Sequence, residues 1–247
     1  MSVREELRTC LTDRAILRAT LAVPGALGLA LLATWPRGTL ETALRTGAVT
    51  DIFPVAGTCF LLVLLFLGAR WGAESISSDP DVTLRDYVTR TPVSLPFLVL
   101  GRLAAGASHT FLLLLLGAPF LVAAMAVGGA GIPHILQALA VIGAAGLAAR
   151  MCGLLALALI GANGPLRRAL LFLFLTAVLA VTFFLAPAVS PFRAMASLLK
   201  PVEGAPPPIL SAAAGLGAAL LLAAGALAVL TVTRARAARR APEAAGR

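Results

Sequence analysis

The chain has 247 residues, 60% of them apolar and only 13% Asp, Glu, Lys or Arg, against roughly 45–50% and 25% in ordinary soluble domains. A mean hydropathy of +0.96 is more than a water-soluble fold of this size can cover, which excludes a soluble globular enzyme, a disordered chain and a coiled coil and leaves an all-α polytopic membrane protein. The net charge of +9 comes from basic residues set between long apolar runs, a pattern of loop topology rather than of nucleic-acid binding.

Residues 1–16 place Val3, Leu7, Cys10 and Leu11 on one helical side and Arg4, Glu5 and Arg8 elsewhere. That pattern predicts an interfacial helix. The segment is long, mixed in sign and followed by no small-residue cleavage site, so no cleaved signal peptide is expected. A membrane span needs about 20 mainly apolar residues. The first is expected at 17–35, with Arg18 at its edge, and the second at 52–69, ending at Arg70 and Trp71. Residues 103–149 contain no charged side chain, too long a run for one span. The stretch from Val127 to Pro133, rich in Gly, divides it into a hairpin of 102–126 and 134–161. A fifth span is expected at 169–189 and a sixth at 209–233, followed by a basic tail at 234–247. The whole chain is one transmembrane domain. Between spans five and six, residues 192–199 are amphipathic, flanked by Pro191 and Pro201, and too short to cross. They predict a short helix lying at the outer interface or dipping into it.

Six spans put both termini on one side. With the termini cytoplasmic, fifteen of the 20 basic residues fall inside and only Arg37, Arg45, Arg193 and Lys200 outside, Arg150 lying within a span. The positive-inside bias selects this orientation.

Few residues of the sequence fall into a recognisable catalytic or binding motif. Cys10, Cys59 and Cys152 form no CxxC or Cys/His cluster, which supports neither disulfide nor zinc. There is no GxxxxGK[ST] loop, no HExxH and no GxSxG. Ion-channel signatures are missing too, with neither rings of charge nor a carbonyl filter. Polar residues inside the spans stand out for that reason: Arg150, His109 and Gln137 are the candidates for a substrate path, and hydrogen bonding between helices is the plainer role. An Arg deep in a span costs about 2.5–3.5 kcal/mol unless it snorkels or is paired.

The connection between spans two and three is the most informative segment. Ser77, Ser78 or Asp79 can cap a helix whose first turn holds Pro80 and Asp81. Leu84, Tyr87 and Val88 share one face, and Thr91-Pro92 ends the helix. The result is a short amphipathic helix over 79–90, held between two spans on the cytoplasmic side.

Here the chain resembles the permease subunits of ABC transporters of the type-2 exporter superfamily. Thr91-Pro92-Val93-Ser94 is similar to that family's Thr-Pro-(Leu/Val)-Ser element, and Gly101-Arg102-Leu103 to its Gly-Lys-Leu entry into the third span. Thr83-Leu84 looks like the Thr-Leu pair, with Val82 where the family has Gly and Asp86 as counterpart of its Glu. Ser190-Pro191-Phe192 is similar to the Ser/Asn-Pro-Phe before its outer re-entrant region. The order and membrane placement of these elements extend the resemblance over the whole chain.

The resemblance implies a bacterial inner-membrane transport subunit, not itself an enzyme and binding no cofactor of its own. Two permeases would pair, as copies or homologues, and separate P-loop ATPase subunits carrying ATP and Mg would dock beneath. The helix over 79–90 would be the coupling helix, with Asp79, Asp81, Thr83, Arg85, Asp86, Tyr87 and Arg90 as the candidate ATPase contacts. Membrane lipids would be its other partners. Two other classes compete: a membrane-embedded enzyme, which would need a polar catalytic cluster in the spans, and an accessory or scaffold protein without transport activity.

Overall fold

A computed structural model describes residues 14–35, 51–73, 84–128, 130–160, 165–186, 189–198 and 207–245. Among the described residues, eight helices run in the order α1 (Arg14–Thr34), α2 (Ile52–Gly72), α3 (Leu84–Arg90), α4 (Leu95–Gly128), α5 (Ile132–Ile160), α6 (Pro165–Phe184), α7 (Pro191–Ala196) and α8 (Pro208–Ala245). Four are long and apolar enough to cross a membrane: α2, α4, α5 and the stretch Pro208–Arg239 of α8. The chain is a multi-pass membrane protein on that footing. The interfacial helix expected at 1–16 falls almost wholly outside the described residues, which begin at Arg14.

The periodic apolar runs become helices because a bilayer offers backbone N–H and C=O groups no partner outside the segment itself. Where the helices stop is set by local chemistry. Gly131 and Pro133 turn α4 into α5, and the His134 ring closes that turn by accepting the Gly131 N–H at Nδ1, 3.0 Å away. α7 starts at Ser190, whose Oγ caps the Arg193 N–H at 3.4 Å, with Pro191 at the first helical position. The 34 residues of α4 and the 38 of α8 make rods of about 51 and 57 Å, well beyond the roughly 30 Å hydrocarbon core. Both therefore project from the apolar slab.

α5 is the axis of the bundle. It packs most extensively against α8 and then α2, with α4, α6 and α7 around it. Two apolar clusters result. The larger joins α1, α2, α4, α5 and α7, with Leu171 of α6 and Ala212 of α8, around Phe53, Phe60, Leu61, Leu64, Leu121, Ile142 and Met195, all seven essentially sealed. The smaller joins α3, the start of α4, the second half of α5, and α8 around Leu84, Val88, Leu95, Met151, Leu154, Leu157, Ala226 and Leu230.

Close approach in the larger cluster depends on glycine. A Cβ on Gly72 would run into the Arg150 carbonyl, one on Gly153 into the Ala69 carbonyl, and one on Gly68 would sit 2.7 Å from the Gly146 carbonyl. α2 and α5 thus touch backbone to backbone, as small residues allow in membrane helix pairs.

Candidate functional site

Two places on this scaffold concentrate polar chemistry. The first is inside the bundle. Arg150 on α5 is 5% exposed and His109 on α4 is 2% exposed. The Arg150 guanidinium donates from Nη1 to His109 Nδ1 over 3.1 Å. An Arg offers only donors, so Nδ1 is the acceptor and the imidazole proton sits on Nε2. Trp71 of α2 lies against the imidazole, ring centroids 4.3 Å apart and tilted by 36°. Gly106 clears the path of the arginine, since a Cβ there would lie 2.9 Å from Arg150 Cδ. Three helices therefore meet on a cation, an imidazole and an indole. Gln137 does not join them. It is half-buried on α5, thirteen residues before Arg150, which is about 20 Å along the helix.

The second place is α3 and the turn after it. Leu84 and Val88, one helical turn apart, are buried, while Tyr87 is half-buried against the smaller cluster. The opposite side carries Thr89 and Arg90 in the open and Asp86 half-exposed. The helix ends where Thr91 N–H still reaches the Tyr87 carbonyl at 3.0 Å and Pro92 can add no further donor. A tight turn, Val93 N–H to Thr91 carbonyl at 2.8 Å, leads to Ser94, and α4 begins. Asp79, Asp81 and Thr83 lie outside the described residues, as does the side chain of Arg85. Of the seven residues expected on the partner face, Asp86, Tyr87 and Arg90 can be placed.

A third feature is apolar. α1 and α6 flank α2 and leave a groove of about 610 Å³. Ala22 and Ala26 line one wall, Leu62 and Phe66 the floor, Phe172 and Thr176 the other wall, with Arg70 at the margin. The Phe66 and Phe172 rings stack at 4.5 Å and 9° across it.

Sequence reasoning missed three things. The seam of Gly68, Gly72, Gly146 and Gly153 has a visible signal, the small-xxx-small spacing of Gly68 and Gly72. Trp71 looks like an interfacial belt residue but is 4% exposed and covers His109. Arg234 looks like part of a basic tail, yet it hydrogen-bonds the turn after α3: Nη1 donates to the Val93 carbonyl at 2.7 Å and Nη2 to the Thr91 carbonyl at 3.0 Å. No local pattern announces a contact 141 residues away.

Comparison of the chain with protein-family models, with curated proteins and with solved structures finds no match.

Proposed function

We propose that this chain is the transmembrane permease subunit of an ATP-driven ABC exporter, coupling hydrolysis on separate P-loop ATPase subunits to movement of a substrate across a bacterial inner membrane. The observation that carries the reading is α3. It is a seven-residue helix between two candidate spans, its apolar side buried against α5 and α8 and its polar side turned outward. A helix so mounted can take up a push from below and pass it to the bundle, and the motif order around it resembles that of the type-2 exporter permeases.

On this reading α1 and α6 also span, giving six crossings. Their 21 and 20 residues reach about 30 Å each. Both termini are cytoplasmic, α3 faces the ATPase, and α7 lies at the outer surface. Two copies or homologues pair. The groove between α1 and α6, with its apolar walls, suits a cargo with a large apolar part. Mg and ATP bind on the partner, not here.

Co-purification tests this. The tagged chain, expressed with the P-loop ATPase from its neighbourhood, should retain that ATPase in mild detergent, and candidate amphiphiles should stimulate hydrolysis in proteoliposomes. Labelling of single cysteines from outside should reach positions 46 and 205 and spare 78 and 244. A chain that retains no ATPase, or one labelled from outside at position 78, moves the assignment to a scaffold protein.

A further inference from the structure

We propose that Arg234 is a positioning residue that locks the turn after α3 to the end of α8, so that α3 and α8 move as one unit; its role in transport rests on the permease reading above, while the lock itself does not.

The geometry is specific. Arg234 lies one turn beyond Leu230, which is sealed in the same cluster as Leu84 and Val88 of α3. Its two terminal nitrogens reach two carbonyls of one turn, Thr91 and Val93, at 3.0 and 2.7 Å. Those carbonyls are available for a structural reason. Pro92 ends the helix, so Thr91 and Val93 fall in the stretch where no later helical N–H comes round to cover them. The Thr91 carbonyl takes the Val93 N–H as well, filling both its acceptor positions. A planar fork of donors fits two neighbouring acceptors, whereas an ammonium on a flexible stem acts as a point charge. Arg234 is half-buried, while Arg236 and Arg239 on the same helix are exposed. The basic run thus contains two kinds of residue: one that holds the turn, and others that face outward as charge near the membrane.

Mechanically this routes a push on α3 into α8. α3 packs directly on α8 and only lightly on α5, and α8 makes the most extensive contact with the axial helix α5. A displacement of α3 reaches the Arg150–His109 region through α8 and α5, not only through the covalent link to α4.

The test is amide hydrogen–deuterium exchange on the full chain in nanodiscs, comparing Arg234→Lys, Arg234→Gln and the control Arg239→Gln. Arg234→Lys keeps the charge that holds topology, so it decides the case if Arg234→Gln inserts poorly. The lock predicts about tenfold faster exchange over residues 84–94 in Arg234→Lys, the loss expected when the ammonium keeps one carbonyl and one charge-assisted hydrogen bond is broken. Arg239→Gln should leave that segment as in the parent. Unchanged exchange in Arg234→Lys, or an equal rise in Arg239→Gln, overturns the proposal. A second arm uses the ATPase complex. Arg234→Lys should still retain the ATPase, because the outward side of α3 is untouched, but substrate-stimulated hydrolysis should fall about fivefold or more. Retained ATPase with full stimulation would mean the lock carries no motion. A parent chain that retains no ATPase overturns the permease reading and leaves the exchange result standing on its own.

Discussion

α5 is held on two sides by different chemistry. Toward α2, the contact is backbone on backbone at Gly68, Gly72 and Gly153, where an added Cβ would meet the facing main chain. Toward α3 and toward α8 from Ala219 onward, the contact is made by side chains, Ala219, Ala223, Ala226 and Leu230 against Leu154, Leu157, Leu84 and Val88, with Arg234 closing the edge, while nearer its start α8 brings Gly215 close to the α5 main chain at Ala144. Helices in backbone contact cannot slide without collision, because a single methyl group already overfills the space. A seam of alanine and leucine side chains has rotamers to spare and can shear by small steps. On the proposed reading, the α2–α5 pair is the fixed frame, and α3 with the adjoining end of α8 is the movable arm.

The largest expected effect breaks the frame. Gly72→Val and Gly153→Val should each cost about 3 kcal/mol or more, since neither backbone can retreat. The measurement is the thermal midpoint of the detergent-solubilised protein by fluorescence-detected chromatography. Near-parental midpoints would mean that the two helices are not in backbone contact.

Next comes the arm. Tyr87→Ala should weaken ATPase retention by about 2 kcal/mol if the exposed part of its ring enters a pocket on the partner. Its half-burial against the smaller cluster means that some of that loss arises within this chain. A parallel midpoint measurement separates the two contributions.

A smaller effect sharpens the frame. A double-mutant cycle of Arg150→Met and His109→Phe should give a coupling of about 0.6–1.7 kcal/mol, the scale such cycles find for interhelical hydrogen bonds in membranes. A coupling near zero would show that the burial of Arg150 is supported elsewhere in the bundle. The smallest effect is a control. Gly217 on α8 meets nothing within 4 Å of an added Cβ, so Gly217→Ala should be tolerated and raise stability by about 0.5 kcal/mol.

The helical character of the chain and its membrane setting were legible because both follow from composition and run length alone. Gly131 and Pro133 announced the α4–α5 hairpin for the same local reason, and Pro92 the end of α3. His109 and Arg150 stood out singly as polar residues in apolar runs. Their pairing did not, because it depends on which faces α4 and α5 turn toward each other. The contacts of Arg234 and Trp71 were hidden by composition. An Arg after an apolar run reads as a charge anchor and a Trp at a helix end as a belt residue, and only tertiary packing turns Arg234 toward the Thr91–Val93 turn and Trp71 onto His109. The glycine seam was written in the spacing of Gly68 and Gly72, but its partner helix was not.

The most direct test of the central claim, that the outward side of α3 is where an ATPase docks, is co-purification with Thr89→Trp. Thr89 is exposed, and its only described side-chain bond is local, to the Asp86 carbonyl at 3.1 Å, so an indole there should leave insertion and the thermal midpoint unchanged. Docking there predicts that the P-loop ATPase retained by the parent chain is lost from Thr89→Trp and that substrate-stimulated hydrolysis goes with it. Full retention and full stimulation in a normally inserted Thr89→Trp protein would contradict it.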